Sequence, residues 1–130
     1  MSNMSNSIPF QLHAFVSHRK MDVNLSDPWF EAVKKGTKKV EGRVKRSKWA
    51  SVQIGDRWRV ASQTGEILWV KVIDIRQYIS FEDYIVNEGL RNTLPGITDL
   101  RTGVDLYEQY CGVGADKECG VVAFEIKAVQ

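Results

Sequence analysis

The sequence predicts an α+β fold, a small mixed β-barrel with about three short helices. Most predicted strands follow one another through turns and not through crossover helices, which favours a barrel over a doubly wound sheet. Residues 67–79, ILWVKVIDIRQYI, are rich in β-branched and aromatic side chains and form the strongest predicted strand. The predicted order is strand, helix, several strands, two short helices and a final strand.

The remaining strands are predicted from alternating apolar and polar residues. Residues 10–18 and 21–25 alternate in this way and form either two strands or one bent strand. Residues 38–44 leave the first helix as an extended segment. Residues 51–62 enter a strand after a Gly-Asp turn, and residues 120–129 form the last strand.

Three segments carry helix signals. In residues 26–36, SDPWFEAVKKG, Asp27 is the predicted N-cap, Pro28 the first helical residue and Gly36 the stop. Residues 80–89 begin with a capping box of Ser and Asp and end at Gly. Residues 102–112 repeat that pattern, with Thr102 as the predicted cap. The segment between the last two helices is predicted to be a loop built on Pro-Gly.

Length and composition predict one domain, residues 9–130, after a disordered leader at residues 1–8. The 43% hydrophobic and 26% charged residues are typical of a globular protein. No apolar run approaches the ~20 residues that a membrane helix needs, and the first residues lack the pattern of a secretion signal. We therefore predict an intracellular protein without membrane contact, in the cytoplasm or alternatively in the nucleus.

The metal-ligating residue types predict no metal and no cofactor. Cys111 and Cys119 do not have zinc-site spacing and are predicted to be free thiols. His13 and His18 are an odd number of residues apart, so one regular strand would place them on opposite faces. The sequence also contains no Gly-rich phosphate loop and no serine nucleophile elbow, which argues against nucleotide hydrolysis and protease chemistry.

Positive charge is concentrated in one stretch although the net charge is only +2. Between residues 34 and 48 the one acid is Glu41, and the basic residues are Lys34, Lys35, Lys38, Lys39, Arg43, Lys45, Arg46 and Lys48. Such a local field favours a phosphate-bearing partner. The alternative is a solvated surface, and composition alone does not separate the two.

The segment GTKKVEGR, residues 36–43, brings charges of both signs together. On an extended strand Glu41 and Arg43 point to the same face, and Lys38 lies at the strand entrance. Arg43 can donate to a carbonyl or phosphate, Glu41 can accept from an exocyclic amine, and Lys38 can neutralise a phosphate or an oxyanion. The pattern is typical of a nucleobase pocket, or alternatively of a structural ion pair.

Gly36-x-Lys38-x-x-Glu41-x-Arg43 resembles the G-x-K-x-x-E-x-R signature of the ASCH domain, a family of the PUA-like superfamily. The IGD turn at residues 54–56, the LPG loop at residues 94–96 and the GVVAFEI strand at residues 120–126 are similar to features of that family. The resemblance implies a pseudo-barrel with a cleft beside the motif and a role connected with RNA.

The resemblance also implies a possible enzyme. One bacterial branch hydrolyses the acetyl amide of N4-acetylcytidine with a lysine, a threonine and a glutamate, which would fall on Lys38, Glu41 and Glu88. Glu41 departs from that branch, because a carboxylate acts as acid, base or electrostatic partner and not as a hydroxyl nucleophile. A ribonuclease, the activity of another branch, is less favoured because no histidine pair is positioned for acid and base.

Aromatic side chains extend the predicted ligand site. Trp29 and Trp49 are predicted to be exposed near the cleft, where they could stack on bases, whereas Trp58 and Trp69 are predicted to be buried. Tyrosines 107 and 110 are predicted to pack, with one hydroxyl reaching the cleft. The predicted ligand-binding residues are Lys38, Glu41, Arg43, Trp29, Trp49 and Tyr110, and the predicted phosphate-binding residues are Lys39, Lys45, Arg46 and Lys48.

These observations support three functions in order. The first is a module that binds RNA, a modified nucleoside or a nucleotide in the cleft. The second is a small amidohydrolase acting on an acylated nucleoside. The third is a regulatory protein-interaction domain whose basic stretch binds an acidic protein partner.

Overall fold

A computed structural model describes residues 19–129 of the chain. The predicted leader, the predicted strand at residues 10–18 and both histidines lie outside the described residues. Within them, no helix is long and apolar enough to cross a membrane.

Residues 19–129 form five strands and five α-helices. The strands are β1 (Lys20–Asn24), β2 (Val40–Val44), β3 (Arg57–Ala61), β4 (Ile67–Tyr78) and β5 (Val121–Val129). The helices are α1 (Trp29–Lys35), α2 (Phe81–Glu88), α3 (Leu90–Thr93), α4 (Leu100–Cys111) and α5 (Ala115–Cys119), with a 3-10 turn at Ser47–Ser51. The predicted α+β class is confirmed, and α3 and α5 are short additions in segments that were predicted as loops or left unassigned.

One curled sheet forms the half-barrel, with strand order β1-β3-β4-β5-β2. β1 pairs parallel with β3, and the other three pairs are antiparallel. The long strand β4 carries an irregularity between Val72 and Asp74 where it pairs with β5. Such a bulge bends a strand and increases its twist, which helps the sheet to curl.

The core lies on the concave side of this sheet. Alternate residues of β3 and β4, Trp58, Val60, Val70 and Val72, are buried there, as strand periodicity requires. The Trp58 ring meets Phe124 of β5 edge to face, with centroids 5.1 Å apart. Burial of Trp58 is thereby confirmed.

Trp69 differs from its prediction, since it is only half-buried. It belongs to the opposite face of β4 from Val70, because neighbouring strand residues point to opposite sides. Lys20 of β1, two strands away in the sheet, lies over its ring at 5.9 Å.

Helix α1 begins one residue later than the sequence suggests. Pro28 is the N-cap, and the Asp27 carboxylate accepts the Glu31 N–H at 3.2 Å. The helix ends at Gly36, whose φ of 81° suits glycine. The predicted stop at Gly36 is confirmed, and the chain passes directly from it into the motif.

The predicted Ser80 cap of α2 is confirmed, since its hydroxyl accepts the Asp83 N–H, whereas the Asp83 carboxylate accepts the N–H of Ile79 and not that of Ser80. The predicted cap of α4 was wrong, because the helix begins three residues earlier and is capped by Asp99, which accepts the Thr102 N–H at 2.9 Å. Aspartate is at least as good an N-cap residue as threonine. Asp99 lies one position before the first helical residue, so its carboxylate can accept a free N–H of the first turn.

Helices α2 and α4 pack together through aromatic rings. Tyr107 of α4 stacks on Phe81 at 5.5 Å and meets Tyr84 edge to face at 5.2 Å. The helices come close at Gly103, where a Cβ would lie 3.1 Å from the flexible end of the Ile85 side chain. The helix pair places the end of α4 beside β2, where the motif lies.

Candidate functional site

A cavity of about 220 Å³ lies where β2, the start of α1 and the end of α4 meet. Its charged wall is formed by Lys38, Glu41 and Arg43. Its apolar walls include Trp29 and Tyr110, together with Leu94 and Tyr107. The fold thus brings five of the six predicted ligand-binding residues to one cavity.

Strand β2 fixes the direction of the charged pair. Glu41 pairs with Phe124 of β5 and Arg43 with Val122, so both side chains leave the same face of the strand. Nη2 and Nε of Arg43 donate to one oxygen of Glu41, Oε2, at 2.7 and 3.2 Å. Because a guanidinium has five N–H donors, Nη1 remains available, and it has no partner within residues 19–129.

Lys38 is the most buried charge of the cavity, with only 2% of its surface exposed. Its Nζ donates to the Val40 carbonyl at 2.8 Å, lies 3.1 Å from Oε1 of Glu41, and also donates to the Thr93 carbonyl. An ammonium has three N–H donors, so these three acceptors satisfy it. Lys38 therefore holds the site together and has no donor left for a ligand.

The pKa values of this cluster reflect burial opposed by ion pairing. Burial raises the pKa of Glu41, but the charges and hydrogen bonds of Lys38 and Arg43 outweigh it and leave the pKa below its ordinary value of 4.5. Burial lowers the pKa of Lys38, and Glu41 only partly offsets this. The Glu41 carboxylate is thus a fixed negative charge and a weak base at neutral pH.

The lowered pKa of Glu41 predicts an acid-dependent loss of stability. A carboxylate with a lower pKa in the folded state stabilises the fold above its unfolded pKa, and this contribution disappears as the pH falls through the folded pKa. We expect the difference in unfolding free energy between wild type and Glu41→Gln to be constant from about pH 7 to about pH 5 and to shrink below it. Urea titrations across pH measure this, and a difference that grows towards low pH would contradict it.

The two tryptophans occupy different positions from those predicted. Trp29 is buried, not exposed, because α4 covers it: its Nε1 donates to the Tyr110 hydroxyl at 3.3 Å. It still lines the cavity and lies 6.0 Å from Lys38 Nζ. Tyr110 itself is 58% exposed and closes the outer edge.

Trp49 does not line the cavity. It is half-buried and packs against Trp58 and Phe124, with ring centroids 5.7 and 6.0 Å away. The Arg43 guanidinium lies over its ring at 4.4 Å, a cation–π contact that holds the guanidinium in place. Trp49 therefore positions Arg43, and the ring face that the guanidinium covers is not available to stack on a base.

Glu88 lies in a separate cluster. Its carboxylate accepts two bonds from Arg76, at 2.6 and 2.9 Å, and one from the Tyr78 hydroxyl at 2.6 Å. Arg76 also contacts Asp74 and Glu125. Glu88 is not among the residues that line the cavity, so the structure does not bring it to Lys38 and Glu41.

The predicted phosphate-binding residues separate in the fold. Lys45 donates to Gln77, Arg46 to the Cys111 carbonyl beside the cavity, and Lys48 to the Asp22 carbonyl of β1. Lys39 lies on a different groove, away from these three. The basic stretch is continuous in sequence, but it does not form one continuous surface.

Several residues of the cavity were missed from the sequence. Asn24 ends β1, Ser26 lies just after it, and Cys111 ends α4, where burial raises the pKa of its thiol. The Thr93 carbonyl that binds Lys38 belongs to the segment before the LPG loop, and that loop is the one signal that could have pointed to it. Within residues 19–129 there is no group of three or more His, Cys, Asp or Glu that could hold a metal.

Fold and cavity together define a small PUA-like half-barrel with a charged cleft. The ASCH domain model matches residues 23–130, and the chain belongs to the ASCH domain family. RNA binding is associated with that family. A search of curated proteins found no match.

Solved structures show the same fold. The crystal structure of hypothetical protein PH0355 is 36% identical, with 85% of this chain and 99% of that chain covered and a TM-score of 0.76. The solution structure of protein PF0455 from Pyrococcus furiosus is 32% identical, with coverages of 85% and 98% and a TM-score of 0.71. The crystal structure of ASCH from Zymomonas mobilis is 14% identical, with coverages of 88% and 73% and a TM-score of 0.60, and it supports the fold alone.

Proposed function

We propose that the cavity binds a single nucleobase or nucleoside, free or within an RNA chain. The observation that carries this proposal is the Glu41–Arg43 pair at the wall of a cavity with aromatic sides. Glu41 can accept from an exocyclic amine, while Arg43 Nη1 can donate to a ring nitrogen or carbonyl. Aromatic rings beside such groups are the usual surroundings of an unstacked base.

The size of the cavity supports one base as its occupant. Its volume of about 220 Å³ is below the roughly 300–1,000 Å³ of pockets that hold drug-sized ligands. Tyr110, at its exposed edge, can stack on a base that enters, and the apolar walls exclude water. Lys38 and Glu41 are held rigidly by their mutual contacts, so little ordering is required on binding.

Binding is better supported than amide hydrolysis. Hydrolysis at this site needs a base or nucleophile, yet Glu41 has a lowered pKa and uses both oxygens in ion pairs. The raised pKa of the Cys111 thiol disfavours its thiolate. Glu88, the third residue of the suggested catalytic set, lies in the Arg76 cluster.

The proposal is tested with the purified protein and an RNA digest that contains modified nucleosides. Mass spectrometry of the retained and released fractions detects binding and turnover together. Retention of intact nucleosides is the expected result. Release of a deacylated nucleoside would instead establish the amidohydrolase, and retention of nothing would contradict both.

Arg43→Gln should weaken binding of a retained nucleoside at least tenfold. A hydrogen bond to a charged group is worth about 1.5–3 kcal/mol, and Trp49 holds this guanidinium in position. Arg101→Gln is the matched control, because Arg101 is exposed on α4 and does not line the cavity. Titration calorimetry gives both affinities, and equal affinities of the two variants would contradict the role of Arg43.

A further inference from the structure

A second cavity, of about 420 Å³, adjoins the base cavity at Lys38. The end of α1, the segment before β2, and strands β4 and β5 form it. We call it the lysine groove, defined by Lys34, Lys35, Lys39 and Lys127. Lys38 lines both cavities, so the groove and the base cavity share one wall.

The lysines of the groove come from distant parts of the chain. Lys34 and Lys35 end α1, Lys39 precedes β2, and Lys127 lies on β5. The Ile126 N–H donates to the Lys39 carbonyl at 3.0 Å, which fixes Lys39 beside β5. The fold therefore adds a lysine that the basic stretch of the sequence does not contain.

The groove carries positive charge that its own acids do not neutralise. Lys34 is paired with Glu66, whereas Lys35, Lys39 and Lys127 have no acidic partner within residues 19–129. One acid, Glu125, lines the groove, and Arg76 already pairs with it at 3.0 Å. Three solvent-exposed ammonium groups thus surround the opening.

Other basic residues of the same stretch are engaged locally. Arg43, Arg46 and Lys48 bind Glu41, the Cys111 carbonyl and the Asp22 carbonyl. The lysines of the groove make no such side-chain hydrogen bonds, apart from Lys34. Arg46 and Lys48 keep their charge, because carbonyl groups are neutral, but part of their donor capacity is occupied, whereas Lys35, Lys39 and Lys127 have no side-chain hydrogen bond within residues 19–129.

The groove has an apolar floor. Ile73 of β4 is 41% exposed there, beside Val33, Ile126 and Ala128. A groove lined by lysines matches the phosphate backbone of a nucleic-acid strand, since ammonium groups contact phosphates, and no aromatic ring of residues 19–129 lines this groove to stack on bases.

We propose that the lysine groove is a second binding site, which holds the phosphates of an RNA strand. This site is additional to the base cavity, and its assignment to RNA rests on the proposed function. A strand bound there would have its charge neutralised by Lys35, Lys39 and Lys127, while Lys38 separates it from the base cavity. Sequence-independent contacts of this kind increase affinity and fix the register of a strand.

The test compares Lys35→Gln/Lys127→Gln with Lys20→Gln/Lys117→Gln. Each double variant removes one helix lysine and one strand lysine, and the second pair lies outside the groove. The probe is a fluorescent oligouridylate, titrated between about 50 and about 200 mM KCl. At the lower salt the groove variant should bind roughly tenfold more weakly than wild type, and its slope of log affinity against log salt should decrease by about 1.4, or ~0.7 for each lost phosphate contact.

The control variant should bind the oligonucleotide within twofold of wild type. Equal losses in the two double variants would overturn the proposal, as would the absence of oligonucleotide binding by wild type. Competition by polyglutamate as effective as by unlabelled RNA of equal charge would also overturn it, and would indicate an acidic protein as the occupant. Inorganic phosphate displacing the RNA at millimolar concentration would identify a site for free phosphate and overturn it likewise.

Nucleoside binding separates this proposal from the function of the base cavity. Both double variants should bind a retained nucleoside as wild type does, because neither changes that cavity. If wild type retains no nucleoside but the groove variant still loses oligonucleotide binding, the base-cavity function is wrong and the groove stands. If nucleosides bind and the groove variant behaves as the control does, the groove is wrong and the base cavity stands.

Discussion

Lys38→Met is expected to lower the free energy of unfolding by about 3–5 kcal/mol, because it removes one partner of a buried ion pair. Glu41 is only 5% exposed and would keep Arg43 as its one cationic partner. The carbonyl groups of Val40 and Thr93 would lose the donor that now joins them. Methionine has a similar length, so the loss reflects the ammonium and not a cavity.

Urea unfolding measures this effect, with Lys39→Met as the matched control. Lys39 is the next residue but is exposed, so its substitution should change stability by at most about 0.5 kcal/mol. The double variant Lys38→Met/Glu41→Gln should be no more stable than Lys38→Met, because Arg43 would then lose the one acidic partner that it has within residues 19–129. If Lys38→Met stays within about 1 kcal/mol of wild type, the three contacts of Lys38 do not stabilise the fold as proposed.

Gly42→Ala is expected to cost about 3 kcal/mol through overpacking. A Cβ at position 42 would lie 2.4 Å from Cζ and 2.7 Å from Oη of Tyr84. The Tyr84 ring cannot easily move, since it is fully buried and its hydroxyl bonds that of Tyr107 at 2.7 Å. Glycine is therefore needed between Glu41 and Arg43, because a side chain at that position would clash with the Tyr84 ring.

Gly103→Ala provides the control for this prediction. A Cβ at position 103 would meet only the ends of flexible side chains, at 3.1 to 3.3 Å, and alanine favours a helix by about 1 kcal/mol over glycine. Its stability should remain close to that of wild type. In the Tyr84→Leu background, Gly42→Ala should cost clearly less, whereas an equal cost in both backgrounds would exclude the steric explanation.

Local signals predicted most of the secondary structure. Glycine stops, capping side chains and strand alternation act between residues that are close in sequence, so α1, α2 and β4 were recognisable. The start of α4 was misplaced because two polar residues three positions apart, Asp99 and Thr102, can both act as caps. The conformation of the backbone that enters the helix decides between them. The short helix α3 has too few residues to show a periodic pattern.

The candidate site was only partly predictable. The common face of Glu41 and Arg43 follows from strand geometry, which the sequence shows directly. The burial of Trp29 depends on Tyr110, and the engagement of Glu88 depends on Arg76 of β4. Neither contact leaves a local pattern, because the partners belong to different elements that meet only in the folded chain.

The sequence alone determined the ASCH motif, the α+β class and the placement of three charges at the entrance and along one face of a strand. Tertiary structure decided what those charges do. It satisfied Lys38 with the distant Thr93 carbonyl and divided the basic stretch between a base cavity and a groove completed by Lys127. The physical reason is range: periodicity and capping are set by neighbours, whereas burial and charge pairing depend on segments brought together by the sheet.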